Sequence, residues 1–186
     1  MASPKFIVLV GLMGSGKSAV ARRLAASMDA ALLDTDKIVE DAAGRTVREI
    51  FARDGEEAFR AAEEDALRSA LSGGSRAVIA AAGGVVTRGP NRDLINDARR
   101  SGDAWVVWLR TDPEALVERV SRGGHRPLLD DDPRATLMRL HDERSPLYAE
   151  VADTIIDTTG ISVEEVARAV SAAYSAAEGR GSGTNG

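Results

Sequence analysis

One stretch near the start of the chain restricts its possible folds more than any other. Lys5–Val10 (KFIVLV) is a short apolar run rich in β-branched residues, set between Pro4 and Gly11, and it predicts a buried strand. It leads directly into Gly11–Ser18 (GLMGSGKS), after which Ser18–Met28 carries Val20, Leu24 and Met28 at helical spacing. A strand, a glycine-rich turn ending in Lys-Ser and a helix form the context in which GxxxxGK[ST] is a phosphate-binding P-loop. Glycines let such a backbone wrap a phosphate and aim successive N–H groups at it, and the helix adds the positive end of its dipole. Gly14, Ser15, Gly16, Lys17, Ser18 and Ala19 are therefore expected to bind a nucleoside triphosphate. Lys17 reaches the β- and γ-phosphates, and the Ser18 hydroxyl ligates Mg²⁺. The alternative is a Gly-rich turn that happens to precede a lysine, and it must explain both flanks as coincidence. The motif selects a nucleoside triphosphate without saying what is done with it.

The rest of the chain repeats the alternation. Further strands are predicted at Ala31–Leu33, Ala77–Ala81, Ala104–Leu109 and Thr154–Ile156. Helical segments lie between them, at about Lys37–Leu71 with interruptions at Gly44 and Gly55, and at Arg88–Ser101 with Pro90 in its first turn. Asp112-Pro113 and Asp132-Pro133 each set a capping carboxylate before a proline, and Ser162 with Glu165 forms a capping-box pattern before a last helix to about Ala177. Strands alternating with helices predict a three-layer α/β fold, a five-stranded parallel sheet with helices on both faces. Residues 1–177 are read as one domain, 121–132 (SRGGHRPLLDDD) as a mobile lid, and 178–186, which has no apolar residue, as a disordered tail. Ligands of such sheets sit at the carboxyl ends of the strands, where the chain's polar motifs fall.

Composition removes several classes of function. The formal charge is −5, with 24 Lys and Arg against 29 Asp and Glu, so the chain lacks the basic footprint of a nucleic-acid binder. No apolar run approaches the ~20 residues of a membrane span. With no cysteine, disulfides and thiolate metal sites are excluded, and a cytoplasmic monomer acting on small molecules is expected.

Candidate residues for an acceptor site cluster at the strand ends. Asp34-Thr35-Asp36 offers two carboxylates that can divide labour between metal and acceptor hydroxyl, although Asp and Thr there would equally cap a helix. Arg60 and Glu63, three apart on a helix, can pair, and a guanidinium fixed by a carboxylate reads a substrate carboxylate well; the same pair could be an ordinary surface contact. Gly83-Gly84 permits close approach to a ligand or simply makes a turn. Arg126 in the lid segment and Arg144 before Ser145-Pro146-Leu147-Tyr148 can neutralise charge during phosphoryl transfer. His125 has no part in such chemistry.

Taken in order, GLMGSGKS, LLDTD, DGEEAFRAAEEDAL, AAGGVVT, RPLL and ERSPLY resemble the shikimate kinases over roughly residues 5 to 158. The resemblance implies transfer of the ATP γ-phosphate to the 3-hydroxyl of shikimate with Mg²⁺, on the route to chorismate and the aromatic amino acids. It implies that Asp36 meets the acceptor hydroxyl as base and that Asp34 joins Ser18 on the magnesium side. Arg60 and Arg144 would clamp the substrate carboxylate with Glu63 orienting Arg60, and Gly83 and Gly84 would offer backbone contacts. Lys17, Asp36 and Arg126 are the implied catalytic groups, and Arg119 falls where the family packs an arginine against adenine. Two departures stand out: Ala82 replaces the first of three customary glycines, and Thr159–Val163 lacks the proline usual in the adenine loop. A gluconate-type kinase and a nucleotide switch are the rivals, and the N-K-x-D signature of guanine-reading switches is absent.

Overall fold

β1 (Phe6–Val10) occupies the middle of a five-stranded sheet, and all five of its residues are buried. The computed structural model describes residues 3–121 and 132–181. The other strands are β2 (Ala31–Asp34), β3 (Ala77–Ala80), β4 (Ala104–Arg110) and β5 (Thr154–Asp157), in the spatial order β2-β3-β1-β4-β5, and every pairing is parallel. Both faces of a parallel sheet are covered by helices, which is why β1 reads as an unbroken apolar run. Phe6, Val8 and Val10 join one core, and Ile7 and Leu9 the other.

The Ile7 face is covered by α1 (Lys17–Ser27) and α7 (Val163–Gly181), through Val20, Leu24, Val166, Val170 and Tyr174. The Phe6 face is covered by the second half of α3 (Val47–Leu71), α4 (Gly89–Arg100), α5 (Pro113–Ser121) and α6 (Pro133–Val151), through Leu67, Ile95, Leu116 and Leu137. A third, smaller cluster of Val39, Ile50, Phe59 and Ala66 joins α2 (Thr35–Ala43) to α3. Each fully buried aliphatic side chain in these layers contributes about 1.5–3 kcal/mol over its exposed state.

The expected caps form. Asp112 Oδ1 accepts from Glu114 N at 2.9 Å and Asp132 Oδ1 from Ala135 N at 3.0 Å. Ser162 and Glu165 exchange bonds as a capping box. Gly44 ends α2 in the left-handed region, and Gly55 (φ 84°, ψ 173°) kinks α3 without ending it. Two boundaries differ from expectation, and one helix continues past a proline. The helix after β2 starts at Thr35, because Asp34 caps it. α6 runs through Pro146 to Val151. α7 runs on to Gly181 rather than closing at Ala177, since Ala177 still packs on the core and Glu178 lies 3.8 Å from Arg76. Among the described residues no helix is long and apolar enough to cross a membrane. Most of the segment read as a lid (122–131, including Arg126) and the last five residues lie outside the described residues.

Candidate active site

The turn after β1 opens at the centre of the sheet's carboxyl edge, between β3 and β4. Gly16 caps α1 in a left-handed conformation (φ 92°), a backbone state that L side chains rarely adopt. Having no side chain, it also leaves the first amides of α1 to face whatever anion lies beyond them. The Lys17 ammonium lies over the loop, donating to the carbonyls of Gly11 and Leu12 at 2.8 Å each. A cavity of about 320 Å³ begins here, lined by Gly14, Lys17, Ser18, Asp34, Asp36 and Gly83 among others.

Asp34 caps α2 and at the same time meets the phosphate loop. Its Oδ1 accepts from the backbone of Asp36 at 3.1 Å, capping α2, while its Oδ2 accepts from the Ser18 hydroxyl at 2.6 Å. Capping fixes the carboxylate so that its second oxygen meets the loop serine. One hydroxyl and one carboxylate are hard oxygen donors of the kind Mg²⁺ prefers, and that ion commonly takes only one or two protein ligands and fills its shell with water and phosphate oxygens. The donor set therefore fits magnesium. Among the described residues no cluster of three or more acidic, His or Cys side chains could hold a metal unaided.

Arg60 and Glu63 are both in the interior, 7% and 1% exposed, so the ordinary surface pair is ruled out. Arg60 Nη1 donates to the two Glu63 oxygens at 3.1 and 3.2 Å, and Nη2 donates to Glu56. Burial raises the Glu63 carboxyl above its ordinary range; Arg60 opposes the rise without cancelling it, and Asp36 adds to it. Arg144 is 6% exposed; its Nη1 donates to the Gly83 carbonyl at 3.0 Å, and its Nε is buried with no hydrogen-bond partner among the described residues.

Gly83 and Gly84 join the two halves. A Cβ on Gly83 would lie 3.2 Å from the Met13 amide in the phosphate loop, and one on Gly84 would lie 2.1 Å from Arg60 Nη1. One glycine lets the β3 end approach the loop and the other makes room for the guanidinium. Neither arginine lines the cavity itself: Arg144 bonds to the carbonyl of Gly83, which lines it beside Lys17, and Arg60 packs against the adjacent Gly84. Ala82 has no positive φ and gives its N–H to Thr35 Oγ1 at 2.8 Å, so a methyl group is accommodated there.

A second cavity of about 270 Å³ continues along the loop past Gly14 and Gly16 to Thr158, Ile161 and Val163. Arg119 lines both cavities and donates to the Thr158 carbonyl at 2.6 Å. Gly160 (φ 72°) turns this loop without the customary proline.

Two contributors escaped the sequence reading. Thr35, fully buried, ties the start of α2 to the end of β3 and so holds Asp34 and Asp36 on either side of it. Tyr148 donates its hydroxyl to the same Gly83 carbonyl as Arg144, and burial drives its ionisation far above the usual tyrosine range. The four-residue spacing of Arg144 and Tyr148 was the available clue, since it puts them on one helix face.

A family model described as shikimate kinase matches residues 13–174. The shikimate kinase of Symbiobacterium thermophilum is 45% identical over 163 residues, covering 86% of this chain and 90% of that protein. That of Moorella thermoacetica is 41% identical over 173 residues, covering 93% and 96%. Among solved structures, a shikimate kinase from Acinetobacter baumannii in complex with shikimate aligns with a TM-score of 0.84 at 35% identity, covering 91% of each chain. The matched span contains Lys17, both aspartates and both arginines that meet at Gly83-Gly84, and on that agreement of sequence, fold and geometry the chain belongs to the shikimate kinase family.

Proposed function

We propose that the chain transfers the γ-phosphate of ATP to the 3-hydroxyl of shikimate, giving shikimate 3-phosphate and ADP for the synthesis of aromatic amino acids. The observation that carries this reading is the junction at Gly83-Gly84, where a phosphate loop and a pair of buried guanidinium groups share one wall. A nucleotide switch needs the first and has no use for the second.

The loop amides and Lys17 bind the polyphosphate and hold its terminal group in place. Arg60, kept in position by Glu63, and Arg144, whose buried Nε is a donor still to be matched, take the substrate carboxylate. That grip turns the acceptor hydroxyl toward Asp36. Asp36 accepts the hydroxyl proton as the oxygen forms its bond to the γ-phosphorus and the bond to the bridging oxygen of ADP breaks. Ser18 and Asp34 would hold magnesium, which supplies neutralising charge to the phosphates. Catalysis of this kind is positioning plus charge stabilisation. The reading takes the enzyme to act as a monomer in the cytoplasm, where the ATP it consumes is supplied.

A coupled assay of ADP release with ATP and Mg²⁺ tests the reading against a panel of acceptors. Turnover with shikimate is expected to far exceed that with gluconate or with no acceptor. Lys17→Ala should abolish it, and Asp36→Asn should lower kcat by about 10²–10⁴ while leaving the fold intact. Turnover of gluconate without shikimate, or a normal kcat for Asp36→Asn, contradicts the assignment.

A further inference from the structure

Arg60 is bound by two carboxylates of opposite character. Glu63 takes Nη1 from within the core. Glu56 Oε1 takes Nη2 at 3.1 Å from the other side. The Glu63 side chain is 1% exposed and that of Glu56 65%. An interior partner locks a guanidinium in place, whereas a partner standing in water holds it through an ion pair that is readily exchanged.

A guanidinium reads a carboxylate best through two parallel N–H···O bonds. With Nη1 committed to Glu63, an incoming carboxylate must share the edge that includes Nη2, where Glu56 sits. We propose that Glu56 stands in for the substrate carboxylate on Arg60 and sets the affinity for carboxylated substrates by competing with them. The proposal rests on the reading of Arg60 as a carboxylate clamp.

The local backbone supports an exchange of this kind. Glu56 is the first residue after the Gly55 kink, so it opens the second half of α3. Amides at the start of a helix favour a carboxylate, so Glu56 leaves Arg60 without losing all favourable surroundings. Glu63, by contrast, has no such freedom: it is buried beside the Arg60 guanidinium, which lies over the Phe59 ring and against Gly84. Glu57 provides a control beside it, since it pairs with Arg88 at 3.0 Å rather than with Arg60.

The test compares Glu56→Gln, Glu57→Gln and Arg60→Ala in the full chain. KM and kcat for shikimate are measured at saturating ATP, and shikimate Kd by calorimetry without nucleotide. Glu56→Gln is expected to lower KM and Kd by about 1.4- to 5-fold with kcat unchanged, the range set by the strength of an exposed ion pair. Glu57→Gln should leave both constants unchanged. An unchanged or raised KM in Glu56→Gln overturns the proposal, because a residue that merely positions Arg60 would raise it. So does an equal drop in Glu57→Gln, which would mean that bulk charge is responsible. Arg60→Ala separates the two levels. If it leaves shikimate KM and Kd unchanged, the clamp itself falls and this inference with it. If it raises them while Glu56→Gln lowers neither, the inference alone falls.

Discussion

Burial and pairing pull the Glu63 carboxyl in opposite directions. Loss of water favours the neutral acid, and the Arg60 guanidinium favours the anion; burial is the larger effect, so the folded chain binds this proton more tightly than the unfolded chain does. Stability contributed by such a group is present in acid and declines as pH rises from its ordinary value of 4.5 through the raised one. Wild type is therefore expected to lose stability relative to Glu63→Gln as urea denaturation is repeated from about pH 4 to pH 8. The opposite slope would mean that the ion pair outweighs burial.

At the scale of elements, the kink in α3 decides where the clamp stands. Gly55 adopts φ 84° and ψ 173°, a region open essentially to glycine alone, although a Cβ there would meet nothing within 4 Å. Gly55→Ala is expected to cost about 1–3 kcal/mol from backbone strain. Gly74→Ala, equally open but without a positive φ, should be neutral or stabilising by up to about 1 kcal/mol. Urea midpoints of the two variants check this, and equal effects would rule out strain as the cause. The sequence announced helix on both sides of an interruption at Gly55, whereas the angle between the two halves depends on Phe59 and Ala66 packing with Val39 and Ile50. The Thr46–Glu49 capping box that begins α3 is legible in the sequence as T-x-x-E.

Over the whole molecule, what could be read beforehand was whatever local pattern determines. The apolar runs marked each strand, and the phosphate loop was visible because its flanks and glycines are contiguous. Arg60 and Glu63 could be paired by spacing, but their burial could not be foreseen, since it depends on the end of β3 arriving with a glycine at position 84. Thr35 was hidden for the same reason: its partner, the amide of Ala82, is 47 residues away. What sequence order disperses, the parallel sheet collects along one edge, and the central claim is that a phosphate loop and a carboxylate clamp assembled there share one substrate. The most direct measurement follows the label from γ-³²P-ATP in the presence of Mg²⁺ and saturating shikimate. The account predicts label in shikimate 3-phosphate, accumulating in step with ADP. Label released only as inorganic phosphate, or retained in ATP, would contradict it.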